Sequence, residues 1–563
     1  MSMLFAIFDS IKWLTALEMA LCLLNLIVLI WNFIPNKKHF IAIDFMPGLG
    51  MIITIISIVS GDTSFVALAL YLLTVVEFLC TVKNLFKPAK NIATKRFKVI
   101  KAIFCVCGMI VIVLTLRLAG ELRYNPESDF SKMSYSKAFI ALNKRMAVEY
   151  PFGDWKNVNW NELLDKYIPI MEQAENDNNQ TLYYKALREY LYSFRDSHIE
   201  IENDSLFTGN KIFKEEAGGG FGISTIRLDD GRVLVNLVLE GSPADKSGMK
   251  PGAEIFIWDG IDIKEAYKNT FWSELPMTTE GDRNYNQGRF MVRAPIGKQI
   301  NIEFKNLDEN DIKEVSLTAY DDNYETLKRT RLKLKESDPP IEGEILGNGY
   351  GYIKIRYFLS NKDINDPTEI LEEKIKEFQT ANVKGVIVDL RDNPGGDDQM
   401  AVKMAGHFVG EEKFYEYASY YNHNTSKFEI NYGEANIIKP SEPLYKGKVA
   451  ILINNRTASS GEGLPLALKG LPNVKIVGFT STNGSFGVVT SPIMIKMPDG
   501  YTLQIPDGRS LNKDKVIQGD CDSSGQGGIA PDIKIPLNTE TFKKKYIDGQ
   551  DIELDYAIDA LKS

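Results

Sequence analysis

Two short segments could do acyl-transfer chemistry. Thr457-Ala458-Ser459-Ser460-Gly461-Glu462 follows the apolar run Val449–Ile453 and places a serine pair at the mouth of a strand-to-helix turn, where a hydroxyl can be exposed and activated. About sixty residues upstream, Gly385–Leu390 reads as a second buried strand that breaks into Arg391-Asp392-Asn393-Pro394-Gly395-Gly396, a glycine turn whose backbone N–H groups are free to bind an oxyanion. Two such strand ends side by side describe a site for nucleophilic attack on a carbonyl. A serine hydroxyl is a poor nucleophile until a base takes its proton, so the chain must also supply that base.

The elements that position these segments follow from pattern. From Gly351-Tyr352-Ile353-Lys354-Ile355 to about Pro536, strands alternate with helical periodicity, including a helix over Pro367–Ala381, which implies an α/β domain with parallel strands ending at the site. Tyr135–Phe194 has helical apolar spacing and ends in Arg195-Asp196-Ser197-His198, so a histidine stands at the junction with a strand-like Ile199-Glu200-Ile201. Residues 121–132 read as a polar tether, and residues 541–563 as a C-terminal helix or tail.

At 563 residues the chain exceeds one compact domain. Residues 1–120 hold four apolar segments, Leu14–Phe33, Phe40–Val59, Phe65–Leu85 and Val99–Leu116, each near the roughly 20 residues that cross a bilayer as a helix. Four transmembrane helices are therefore expected, with membrane lipid as a partner. The basic residues Lys37 and Lys38, and Lys83 to Lys98, predict cytoplasmic loops, which puts both termini and everything after residue 120 outside the cytoplasm in a multi-pass cell-membrane protein. Up to Gly120 the chain carries 11 basic and 5 acidic side chains, net +6; against −9 overall, the remainder carries −15 and argues against nucleic acid as partner. Four of five cysteines lie in the apolar segments and only Cys521 lies beyond them, so no disulfide framework or cysteine zinc site is expected there.

Residues 216–320 run Gly218-Gly219-Gly220-Phe221-Gly222-Ile223, strand Val233–Val238, Gly241-Ser242-Pro243-Ala244, Gly248-Met249-Lys250-Pro251-Gly252 and strand Glu254–Trp258. This order resembles a PDZ domain, interrupted by an insertion at Phe271–Asn286. The resemblance implies that Gly220, Phe221, Gly222 and Ile223 offer amides to a substrate's C-terminal carboxylate while the peptide adds as a strand.

Gly-Tyr-Ile-Lys-Ile, Ile387-Val388-Asp389-Leu390-Arg391-Asp392-Asn393-Pro394-Gly395-Gly396 and Thr457–Glu462, with the PDZ pattern ahead of them, resemble the tail-processing and tricorn-type serine peptidases over residues 135–536. The resemblance implies a crotonase-like α/β catalytic domain over 340–540, preceded by the PDZ-like domain at 216–320 and a helical unit at 121–210. The tail-processing branch takes its base from a lysine about 25 residues after the serine, but this chain reads Thr482-Asn483-Gly484-Ser485-Phe486-Gly487 there, with no lysine between Lys475 and Lys496. The tricorn-type branch uses a histidine of the helical unit preceded by a serine, which corresponds to Ser197-His198; His39, His407 and His423 lie outside any motif. The family register favours Ser459 over Ser460 as nucleophile, with Ser460 and Gly395 or Gly396 as oxyanion donors and Glu462 as a helix N-terminal acid. A supporting glutamate is expected shortly before Gly528-Ile529-Ala530-Pro531-Asp532, but none stands there; Asp520, Asp522 or Gln526 could substitute, with Asp522 preferred. The expected protein is a membrane-anchored serine endopeptidase acting on protein or peptide substrates without metal or organic cofactor. The rival readings are an inactive ligand-binding relative and a membrane sensor with the peptidase as output.

Overall fold

The computed structural model describes residues 20–27, 46–60, 69–76, 127–202, 210–331, 338–360, 366–423 and 425–562. The chain divides into two compact units, Met1–Asn125 and Pro126–Ser563. In the first, helix α1 (Met46–Ser60) has 15 residues, about 22 Å at 1.5 Å per residue and short of the roughly 30 Å of a hydrocarbon core. Its neighbours pack through a small apolar cluster, Leu21, Ile53 and Leu70, beside the buried polar residues Asn25, Thr54 and Thr74. Among the described residues no helix is long and apolar enough to cross a membrane. The expected four-helix transmembrane region is therefore corrected. The fourth expected span, Val99–Leu116, lies outside the described residues.

The second unit opens with helices α2 (Tyr135–Glu149), α3 (Trp160–Asn176) and α4 (Gln180–Tyr192). The side chains of Asn159 and Asn179 cap the last two by accepting from backbone amides of the first turn. Their inward faces, with Phe152 from the turn between α2 and α3, build an aromatic core of Phe139, Phe152, Tyr167, Tyr183, Tyr184 and Tyr190. Residues 200–202 then pair with 502–504, so the segment just after His198 is stitched into a sheet with a distant part of the chain.

Strands β1 (Ile223–Arg227), β2 (Val233–Val238) and β3 (Glu254–Trp258) come next. Helix α5 (Glu280–Phe290) and strands β4 (Gln299–Lys305) and β5 (Lys313–Thr318) complete an antiparallel module in the order β5-β4-β3-β2-β1, which leaves β1 at the edge.

The largest stretch of the chain folds around a six-stranded sheet of β6 (Ile341–Ile345), β7 (Gly351–Ile355), β8 (Val386–Asp389), β9 (Val449–Leu452), β10 (Val474–Gly478) and β11 (Ile533–Lys534), in that spatial order. The β6-β7 pair is antiparallel and every later pair parallel. Helix α6 (Pro367–Thr380) connects β7 to β8, while α7 (Asp398–Ala405) and α8 (Ser460–Leu468) follow the glycine turn and the serine pair. Helix α9 (Ile552–Lys562) covers the face that carries Ile387, Ala450, Leu452 and Val477. Covered on both faces, β8 and β9 are buried along their whole length, which is why they read as unbroken apolar runs.

Ile451 sits fully buried between β8 and β10. Ile451→Ala is expected to cost about 2–5 kcal/mol of stability, read by denaturant unfolding.

Candidate active site

Strands β8 and β9 lie side by side and parallel, so the two loops leaving their C-terminal ends meet. Thr457 Oγ1 donates to the carbonyl of Leu390 (2.8 Å) and the Ala458 amide to that of Asn393 (2.9 Å), which locks the serine turn onto the glycine turn. Ser459 is held at φ 52°, ψ −134°, a conformation that a non-glycine residue adopts only when its surroundings impose it. That strain lifts its side chain out of helix α8 toward His198, whose Nε2 stands 3.2 Å from Ser459 Oγ.

Gly395 and Gly396 have φ of 106° and 139°. A Cβ on Gly395 would stand 2.7 Å from Ser459 Cβ, and one on Gly396 would collide with the Phe358 carbonyl, so no larger residue fits either place. The Gly395 amide donates to Asn393 Oδ1 (2.8 Å) and is occupied. Among the described residues, the amides of Gly396 and Ser460 have no partner, which leaves these two as oxyanion donors. Ser460 Oγ donates to the Gly396 carbonyl (2.9 Å), a bond that ties α8 to the glycine turn and takes Ser460 out of competition with Ser459.

His198 follows α4 through Arg195, itself at φ 52°. Asp196, fully buried, accepts from the His198 amide (3.0 Å) and from Tyr150 Oη (2.9 Å), and its carboxylate lies 3.6 Å from His198 Nδ1. Burial by itself would depress the imidazole, but Asp196, with Asp520 and Glu462 beyond it, outweighs burial and holds His198 above its ordinary value. The Ser197 amide donates to Ser485 Oγ (3.1 Å) and Ser197 Oγ to Asn483 Oδ1 (3.0 Å), while the Ser485 carbonyl accepts from the Ser459 amide (3.0 Å). Glu462 anchors this bridging segment: its carboxylate accepts from Thr482 Oγ1 and from the amides of Gly484 and Ser485, and burial pushes its carboxyl up to about 8. It stands in the first turn of α8, as the sequence suggested, and is fully buried there.

The acidic partner of His198 is thus Asp196, two residues upstream in the same loop. Asp522 bends away: its carboxylate accepts from Ser524 and the Gln526 amide within its own partly exposed loop. Asp520 makes no hydrogen bond to Ser197 or His198; it accepts from the Phe486 amide (2.9 Å). Gln526 is exposed. Asp196 stood inside the Arg-Asp-Ser-His string, and its spacing was the available signal. Nothing in the sequence marked Tyr150 or Ser485, which are joined to the site by contacts across 46 and 288 residues. His407 is buried elsewhere, with Nδ1 3.1 Å from the Pro443 carbonyl.

The expected peptide-binding residues lie differently from the sequence reading. Gly220, Phe221, Gly222 and Ile223 are all buried, and Gly220 exchanges both backbone bonds with Tyr320. Along the β1 edge, where a peptide would add, helix α5 sits directly on the strand. The Asn284 side chain accepts from the Arg227 amide (3.1 Å) and donates to its carbonyl (2.8 Å), as a peptide group would. Gly288 packs so closely against the Thr225 carbonyl that a Cβ would collide. A side chain has taken the place of the peptide strand. A cavity of about 600 Å³ instead opens beside the catalytic pair, bounded by Ser197, Pro394, Ala458, Asn483, Tyr285 and Arg456.

The parallel sheet with a strained serine facing a carboxylate-backed histidine is an arrangement that can carry out acyl transfer through a serine hydroxyl. The family model described as peptidase family S41 matches residues 349–535. It is similar to carboxy-terminal processing protease CtpA of Bacillus subtilis, 26% identical over 347 residues that cover 60% of this chain and 61% of the relative. It is also similar to CtpB of the same organism, 22% identical over 56% of this chain and 59% of that one. The chain therefore spans about three fifths of the length of these curated relatives. Mature CPAF complexed with lactacystin shares the fold, with a TM-score of 0.53 at 13% identity over 76% of this chain and 99% of that chain.

Because the base must be neutral to accept a proton, activity rises with pH as His198 loses its proton, and the acid limb is expected above 6.5, the ordinary histidine value. Asp196→Asn removes the group that raises it: the limb in a pH–rate profile moves down, and the plateau falls roughly 10- to 1000-fold.

Proposed function

We propose that the protein is a serine endopeptidase that hydrolyses peptide bonds of protein or peptide substrates through Ser459 and His198. The observation that carries this reading is the 3.2 Å approach of His198 Nε2 to a hydroxyl held in a strained turn between two amides without partners. His198 takes the Ser459 proton as Oγ attacks the scissile carbonyl, and the Ser460 and Gly396 amides hold the developing oxyanion. Asp196 stabilises the imidazolium. The proton then passes to the leaving amine, the C–N bond breaks, and an acyl-enzyme remains. Water, deprotonated by the same imidazole, releases the acid and restores Ser459.

A purely binding role would give no reason for the strain at Ser459. The antiparallel module keeps a PDZ-like element order, and we propose that it serves as a wall of the approach to the site, since Asn284 and Gly288 occupy the edge that would otherwise take a C-terminus.

A fluorophosphonate probe is expected to label Ser459 in the full chain, and labelling that survives Ser459→Ala would refute the nucleophile. His198→Ala should slow labelling by several orders of magnitude without loss of fold. Peptides with free and amidated C-termini should be cut with similar KM. A marked preference for the free carboxylate would show that the β1 edge opens in solution.

A further inference from the structure

Lys156 is buried, 4% exposed, in the turn between α2 and α3, yet it belongs to no step above. A buried ammonium costs several kcal/mol unless its donors and charge are met, and here both are. Its Nζ donates to the carbonyls of Arg195 (3.0 Å) and Cys521 (2.9 Å), stands 3.6 Å from Cys521 Sγ, and stands 3.6 Å from Asp520 Oδ1. Arg195 immediately precedes Asp196 in the loop that carries His198. Asp520 Oδ2 accepts from the Phe486 amide, next to the Ser485 that binds both Ser197 and Ser459. One ammonium therefore touches the histidine loop and the segment that braces the serine.

We propose that Lys156 is a positioning residue: it fastens the His198 loop to residues 520–521 and supplies the cation that balances the two carboxylates behind the imidazole. The proposal rests on the Ser459–His198 reading. The charged and titratable groups around His198 are Asp196 and Glu200 on its own loop, Tyr150 and Lys156 from the helical unit, Asp398 and Glu462 from α7 and α8, and Asp520 with Cys521 from the segment before Gly528. Among these Lys156 is the one cation besides the imidazolium itself. It is not an alternative base. Although burial works against its charge, Asp520, Cys521 and Asp196 hold the ammonium above its ordinary value, and it makes no hydrogen bond to Ser459.

The test uses the full chain, with the pH dependence of fluorophosphonate acylation and the histidine ring-proton NMR titration of His198, assigned by His198→Gln. Asp520→Asn removes one of the two carboxylates that face Lys156 and should move both the acid limb and the His198 titration downward by roughly half a pH unit or more. Lys156→Met/Asp520→Asn removes both charges and should return the titration to near its wild-type place. It should also lower the acylation plateau roughly tenfold or more, because the loop is no longer fastened. A titration unmoved or raised in Asp520→Asn overturns the proposal, as does a double variant with a wild-type plateau. Should Asp520→Asn fail to fold, the charge-balanced double variant decides by its plateau. A wild-type chain that resists the probe while its His198 titration shifts as described would defeat the peptidase reading and uphold the coupling.

Discussion

Ser485 holds both sides of the Ser459–His198 contact. Its carbonyl accepts the amide of Ser459 and its hydroxyl accepts the amide of Ser197, so a single residue fixes the serine turn and the histidine loop against each other. The pair comes from distant parts of the chain, 261 residues apart, and a displacement of an ångström between them would cost proton transfer dearly. Everything around Ser485 serves to keep it still. Glu462 binds the amides of Gly484 and Ser485 from the first turn of α8, the helix that Ser459 begins, and Asp520 binds the amide of Phe486 on the other side.

Holding that segment requires burying acids, and burial has electrostatic consequences. Glu462 and Asp520 are both pushed up, to about 8 and about 7, because desolvation disfavours their charged forms. Asp196 goes the other way despite complete burial, since His198 and Lys156 favour its ionised form. The result is one firmly charged carboxylate beside the imidazole and two that yield more easily. That arrangement suits a base whose protonated form must be stabilised during attack and released afterwards.

The closed edge of β1 shows how little a motif order says about a groove. The glycine-rich loop, the strands and the Ser-Pro-Ala turn all have the residues a peptide-binding module uses. Whether a peptide fits depends on the space between β1 and α5, and here Gly288 lets the helix back onto the strand while Asn284 satisfies the amide and carbonyl of Arg227. At Arg227 the amide and carbonyl of the edge are already bonded, so that position offers an added strand no backbone hydrogen bonds.

The sequence by itself determined the elements whose signal is local. Val386–Asp389 and Val449–Leu452 announce themselves as strands because both faces are buried, and the residues after them, Gly395-Gly396 and Ser459-Ser460, are of types that a strained turn demands. The class of enzyme was legible for the same reason. Only the tertiary structure decided which acid stands behind His198, because Asp196, Asp520 and Asp522 are equivalent as residue types and differ only in what folds around them. It decided the division of labour between Ser459 and Ser460, which rests on the direction each hydroxyl takes from a single backbone kink. It also overturned the expected four-helix transmembrane region, since among the described residues no helix is long and apolar enough to cross a membrane. Composition is read along the chain, whereas helix length, burial and partnership depend on residues that meet only once the chain has folded.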